Sequence, residues 1–183
     1  MGVPIDLAYM VYLGMRVSTI AFLLLIAAAV ILRTRPSRKA SGLEPRISAL
    51  MGTFLIYGVA LFPRRELSLS FEMVSTLLTT IGSVGAIVAL GQLGRSFSVM
   101  AETRQLVTSG PYRFVRHPLY LTEEIAIIGV FLQFASVWTA LLLAVQIAFQ
   151  LRRMHNEETV LTVGFPEYVE YRQTTARLIP GLY

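Results

Sequence analysis

Five stretches of this chain are apolar enough to approach the roughly 20 residues that a helix needs to cross a bilayer: residues 8–32, 47–62, 71–93, 119–134 and 137–151. Inside hydrocarbon every backbone N–H and C=O must be satisfied within the segment, so such stretches span as helices. The composition agrees: of 183 residues 55% are hydrophobic and only 15% charged, with a mean hydropathy of +0.63. That is too apolar for an ordinary water-soluble domain. The expected fold is therefore all-α, a polytopic membrane helix bundle with five transmembrane helices. The second, fourth and fifth runs are short, and each is expected to recruit its flanks: residues 43–45, residues 122–124, and Arg152 onward. Only Ala135 and Ser136 separate the last two runs, which predicts a tight helical hairpin, with a re-entrant pair as the alternative.

Basic residues orient the bundle. Arg33, Arg35, Arg38, Lys39 and Arg46 follow the first run, Arg95, Arg104, Arg113 and Arg116 follow the third, and Arg152, Arg153, Arg172 and Arg177 follow the fifth. Only Arg64 and Arg65 lie in the loop after the second. Cytoplasmic loops carry the Lys and Arg excess, so the N-terminus is expected outside and the C-terminus in the cytosol, across a bacterial or archaeal cytoplasmic membrane. The formal net charge of +5 then reflects orientation and attraction to anionic lipid, and no nucleic acid is expected as a partner. The first run is too long for a signal peptide and lacks a basic segment ahead of it, so it reads as a mature helix. Arg16 within that helix is costly unless it snorkels or meets an acid such as Asp6. No cysteine is present, which excludes disulfides, thiolate metal sites and cysteine nucleophiles.

Small residues gather in the third run: Gly82, Gly85, Gly91 and Gly94, with Ser75, Thr79, Thr80 and Ser83 nearby. They would let another helix approach closely. Two polar clusters stand at the ends of different apolar runs. One is G-P-Y-R-F-V-R-H-P-L-Y at 110–120, where Gly110-Pro111 marks a turn and Pro118 suits the first position of a new helix. The other is Arg152, Arg153, His155, Asn156, Glu157 and Glu158. Both fall on the cytosolic side of the expected topology, which suggests one shared site. The two histidines lack ligand-like spacing with acids, so no metal site is expected, and His155 reads as a surface residue. Trp138 reads as an interfacial anchor, as do Tyr168 and Tyr171, unless these two sit on a lid.

The segment opening with L-G-R-S-F-S-V at 93–99 and closing with L-V-T-S-G-P-Y-R-F-V-R-H-P-L-Y at 106–120 resembles the signature of the isoprenylcysteine carboxyl methyltransferases and their phospholipid methyltransferase relatives. Its second half follows as Glu157-Glu158, Leu161, Phe165, Tyr168 and Tyr171, ending in Ile179-Pro180. The resemblance runs from residue 93 to the end; the first two runs are generic. It implies two regions: 1–92 with transmembrane helices 1–3, and 93–183 as a catalytic methyltransferase region with the helical hairpin and a cytosolic C-terminus that binds cofactor. It implies an enzyme that draws S-adenosylmethionine from the cytosol and methylates a lipophilic acceptor held in the bilayer, a prenylated small molecule or a membrane lipid. Tyr112, His117, Tyr120 and Glu158 are the cofactor residues that it implies, with Pro118 shaping the turn. Arg116 and His117 are suited to the cofactor carboxylate, aided by the helix N-terminus, and Glu158 or Glu157 to its ribose hydroxyls or amino group. Sterol reductases share a distant version of the layout, so an NADPH-dependent lipid reductase is an alternative, as is a phospholipid amine N-methyltransferase. A non-catalytic membrane scaffold is a third.

For the acceptor two residues stand out. Arg153, or its neighbour Arg152, would position a carboxylate. Glu124, with Glu123, departs from the small residue that many relatives carry after R-H-P-x-Y, and would favour an amine, whose proton a carboxylate can take. The bland alternative for the second cluster is that Glu157 and Glu158 merely pair with Arg153 and Arg152 at helical spacing, about 0.3–0.5 kcal/mol each.

Overall fold

A computed structural model describes residues 7–32 and 34–181 of the chain. Asp6 and Arg33, considered above, lie outside the described residues. The fold is mostly helical: α1 (Leu7–Leu32), α2 (Glu44–Phe54), α3 (Leu69–Leu93), α4 (Pro118–Phe134), α5 (Val137–Gly164) and α6 (Tyr168–Thr174). A two-residue antiparallel ribbon, β1 (Arg38–Lys39) with β2 (Glu102–Thr103), is the one sheet among the described residues. Four apolar runs become single helices, and α5 continues without a break past Arg152 as expected. The second does not. It divides into α2 and a 3-10 turn at Leu55–Leu61, because Thr53, Tyr57 and Gly58 are weak helix formers. Among the described helices, the stretch Leu69–Ser96 alone is long and apolar enough to cross a bilayer by itself.

Burial is inverted relative to a water-soluble bundle. Large apolar side chains point outward on α1 (Ile20, Leu24, Ile31), α3 (Phe71, Ile81, Val88) and α5 (Val137, Trp138, Leu141), while Ser75, Thr79, Ser83, Gln146, Gln150 and Arg153 are buried. A helix in water does the reverse, whereas in lipid the exposed face is free to be apolar and polar groups turn inward to find partners.

The small residues of α3 explain its closest partner. α3 packs most extensively on α4, and α5 on α2, with α1 covering α3 from the other side. Phe22, Leu25 and Ile26 of α1 pack on the cluster of Ala86, Ala89 and Leu90. Between α3 and α4, Ser75 donates to the Gly129 carbonyl at 2.8 Å and itself accepts from Gln133 at 2.8 Å. A Cβ on Gly82 would stand 2.6 Å from the Thr122 carbonyl, and one on Gly85 2.6 Å from the Thr122 methyl. Gly91 and Gly94, by contrast, meet nothing within 4 Å; Gly94 ends α3 with φ of +49°. Close approach therefore uses only the first two glycines of the four. Gly82→Ala should destabilise the protein in detergent by about 1–3 kcal/mol, the usual cost of overpacking. Gly91→Ala should leave the unfolding midpoint unchanged or slightly raised, which denaturant titration of the two variants will show.

The turn at Ala135 and Ser136 makes the expected hairpin. Ser136 caps α5 by accepting from the Thr139 N–H at 3.2 Å, and the Thr139 hydroxyl accepts from the Ser136 N–H at 2.8 Å. Beyond the turn α4 leans on α3 and α5 on α2. Long polar side chains span the seam between them: Gln146 donates to Glu124 at 2.9 Å and Gln150 to Glu123 at 3.2 Å.

Candidate active site

At one end of the bundle the chain from 94 to 117 folds into a layer over the helix ends. Gly110, with φ of +59°, opens a 3-10 turn through Arg113. The chain then runs beside the C-terminal segment, where the Arg116 N–H bonds the Ala176 carbonyl at 2.8 Å and the His117 N–H that of Arg177 at 3.1 Å. Pro118 follows at the start of α4, where a missing N–H costs nothing. This pairing brings the R-H-P motif, α5 and the C-terminus to one point.

That point is Glu158, on the extension of α5 beyond its apolar part. Its carboxylate accepts from Arg116 Nε at 3.0 Å, His117 Nε2 at 3.0 Å, Arg177 Nε at 3.1 Å and Arg177 Nη2 at 2.9 Å. Burial works to raise its pKa, but the hydrogen bonds and charges of His117 and Arg177 outweigh it and hold the group down to about 2. An ionised carboxylate only accepts, so His117 carries a proton on Nε2. Arg116 is further held by the carbonyls of Arg172 at 2.6 Å and Thr175 at 3.0 Å.

Tyr120, in the first turn of α4, stacks on His117 with ring centroids 5.3 Å apart and donates to Glu157 at 2.6 Å. The Arg153 guanidinium lies over the same ring at 4.6 Å, and its Nη1 donates to Thr53 at 2.9 Å. Arg152 instead leaves the bundle to bond Glu44 at 2.7 Å, beside Asn156. The helical-spacing pairs of Glu157 and Glu158 with Arg153 and Arg152 are thus not formed, because partners on other elements offer better geometry than exposed side chains three or four residues apart. His155 is exposed, as expected.

These residues border one cleft, enclosed by the 93–107 segment, the turn at Tyr112, the start of α4, α5 at Glu157 and Leu161, and α6. Tyr112, Arg116, His117, Tyr120 and Glu157 line it. Glu158 and Pro118 lie behind the lining, Arg153 behind Tyr120, and Glu124 deeper in the seam, where it meets Gln146. Tyr168 and Tyr171 line the cleft rather than anchoring at an interface: Tyr168 is 1% exposed, and Tyr171 donates to the Tyr112 carbonyl. α6 is held over the cleft by the bond from Tyr171 to the Tyr112 carbonyl.

Two cleft residues escaped the reading of the sequence. Glu102 accepts from Ser98 at 2.9 Å and from Arg104 at 2.7 Å, with Lys39 3.5 Å away. In the sequence Arg104 is one more basic loop residue. Its place two residues before the L-V-T-S-G-P-Y block was the available signal. Buried polar atoms without a partner among the described residues fall into two groups. Arg104 Nη1, Tyr112 Oη and Tyr168 Oη belong to the cleft, and Glu124 Oε2, Gln146 Oε1 and Arg153 Nε to the seam between α2, α4 and α5. An unmet buried polar group costs about 1–3 kcal/mol, so each of these atoms calls for a partner, whether a water or a ligand. Burial pushes the hydroxyl pKa of Tyr112 and Tyr168 up, so both keep their protons.

Residues 74–163 match the model of the isoprenylcysteine carboxyl methyltransferase (ICMT) family. The chain is also 34% identical, over 114 residues, to the cobalt-zinc-cadmium resistance protein CzcN of Cupriavidus metallidurans, covering 60% of this chain and 52% of that protein. Over a stretch of the same length it is 31% identical to the nickel-cobalt-cadmium resistance protein NccN of Alcaligenes xylosoxydans xylosoxydans, covering 60% of this chain and 53% of that one. The chain thus spans about half the length of these curated relatives. The family match takes in most of α3, the R-H-P loop, α4 and α5 through the Glu157-Glu158 pair, just under half of the chain, and it makes the chain similar to the isoprenylcysteine carboxyl methyltransferases over that stretch.

Proposed function

We propose that this protein is an integral membrane methyltransferase that takes S-adenosylmethionine into the cleft from the cytosol and methylates a lipophilic acceptor reached through the bilayer. In this reading the helices α1 to α5, with the 3-10 turn completing α2, are the five spans, the N-terminus lies outside and the cleft faces the cytosol. The inverted burial of apolar and polar side chains supports it.

The observation that carries the reading is the convergence, in one cleft, of unpartnered donors with acidic and aromatic side chains. S-adenosylmethionine presents a carboxylate, an ammonium, ribose hydroxyls, an adenine and a sulfonium whose methyl group is open to displacement. Arg104, Tyr112 and Tyr168 supply donors, Glu102 and Glu157 supply acceptors, and Phe97, Tyr120 and Tyr171 supply aromatic faces suited to a cation. The residues present therefore fit the cofactor. The protein's own work is alignment and exclusion of water: Tyr120 and α6 close the cleft, and no nucleophilic side chain is required. Glu158 acts through His117 and Arg116, as a clamp on the R-H-P loop.

Arg153 and Glu124 lie on the acceptor side. The seam holds one cation, Arg153, against the two acids Glu123 and Glu124. That balance favours an acceptor amine over a carboxylate, which supports the phospholipid amine N-methyltransferase alternative within the same chemistry. Incubating the purified protein with methyl-labelled S-adenosylmethionine and total membrane lipid tests the function. Label should enter the organic phase and be lost in His117→Ala, with amine-bearing lipids labelled in preference to acidic ones. Label that stayed in the aqueous phase, or thermal stabilisation by NADPH and not by S-adenosylmethionine, would overturn the reading.

A further inference from the structure

Of the cations around the cleft, Arg104 is held in an unusual way. Its side chain is 2% exposed. Nε donates to the Thr34 carbonyl at 2.6 Å and Nη2 to Glu102 Oε2 at 2.7 Å, while Nη1 is buried with no partner among the described residues. A guanidinium is planar, so two anchored nitrogens fix the direction of the third. The β1–β2 ribbon supplies this anchorage: Ser37 and Thr103 bind each other across it, and Thr34 lies just ahead of it. Lys39 and Arg104 together face the single acid Glu102, which leaves one positive charge in excess. Arg116, the other arginine lining the cleft, is spent on Glu158 and two backbone carbonyls.

A preoriented cationic donor that shares a cleft with two tyrosine hydroxyls, all three without a partner among the described residues, calls for an anionic ligand. We infer that Arg104 is the anion-binding residue of the cleft, and that its Nη1 receives the amino-acid carboxylate of S-adenosylmethionine. The inference rests on the methyltransferase reading and replaces Arg116 as the residue for that carboxylate. Glu102, already paired, stays beside it as an acceptor for the neighbouring ammonium, and the hydroxyls of Tyr112 and Tyr168 are left for ribose or adenine.

The test is equilibrium binding to the full chain in detergent by titration calorimetry, with S-adenosylmethionine and with its decarboxylated analogue. A hydrogen bond to a charged group corresponds to a factor of about 10–100 in affinity, so the wild type should prefer the intact ligand by that factor. Arg104→Gln should lose that preference, binding the intact ligand about 10–100-fold more weakly and the decarboxylated one as the wild type does. Arg104→Lys should restore part of it. Equal affinity of the wild type for both ligands, or equal weakening of both by Arg104→Gln, would overturn the assignment while leaving the methyltransferase reading in place. A wild type that bound neither would overturn that reading, and the assignment with it. The wild-type comparison needs no variant, so it decides even if Arg104→Gln fails to fold.

Discussion

Glu158→Gln is expected to abolish cofactor binding and to lower the free energy of unfolding in detergent by about 3–5 kcal/mol, the cost of removing one member of a buried charge cluster. The reason is geometric. One carboxylate holds Arg116, His117 and Arg177 within 3.1 Å, and through them the loop ahead of α4 and the C-terminal segment. An amide in its place takes the carboxylate charge away from Arg116 and Arg177, and the imidazole that stacks on Tyr120 loses its anchor. The same clamp makes a pH signature. The pKa of Glu158 is depressed to about 2, below the ordinary value of roughly 4.3, so its stabilisation is complete above the higher value. It is lost as pH falls toward the lower one. Thermal unfolding followed from pH 6 to pH 2 should show the wild type losing about 3 kcal/mol from this group alone, with that part of the slope missing in Glu158→Gln.

Arg153→Met should reduce methyl transfer by about 100-fold, the usual cost of misaligning a reacting group by an ångström or so, while changing cofactor affinity by less than about threefold. Arg153 is 3% exposed, lies over Tyr120, donates to Thr53 and has no partner for its Nε among the described residues of the seam behind the cleft. It lies on the far side of Tyr120 and is not among the residues that line the cleft. A residue that only braced the fold would, when removed, weaken cofactor binding and transfer together. Separate titrations of binding and turnover distinguish the two, and Arg153→Lys should recover part of the transfer rate.

The helices were legible because apolar runs of this length have few other folded forms, and the R-H-P motif and the Glu157-Glu158 pair announced the polar end of the bundle. What escaped was set by tertiary partners. Hydropathy counts apolar residues but does not register helix continuity, so the second run gave no warning of the 3-10 turn after Phe54. The partners of Glu157 and Glu158 come from α4 and the C-terminal segment, not from their own helix. Gly91 matches Gly82 in type and setting along α3, yet only Gly82 faces α4. Arg104 looked like part of a topogenic charge excess, and its role emerges only once the β1–β2 ribbon turns it into the cleft. The resemblance places His117 and Glu158 side by side as cofactor residues; in the structure His117 lines the cleft and Glu158 grips His117 from behind.

In the proposed function this cleft is where the methyl donor binds. Direct ultraviolet cross-linking of methyl-labelled S-adenosylmethionine to the purified protein, followed by peptide mapping, addresses it without knowledge of the acceptor. Saturable label confined to residues 93–120 and 157–171, suppressed by excess S-adenosylhomocysteine and absent in Glu158→Gln, is expected. Label on the helix faces away from the cleft, or labelling that does not saturate, would contradict it.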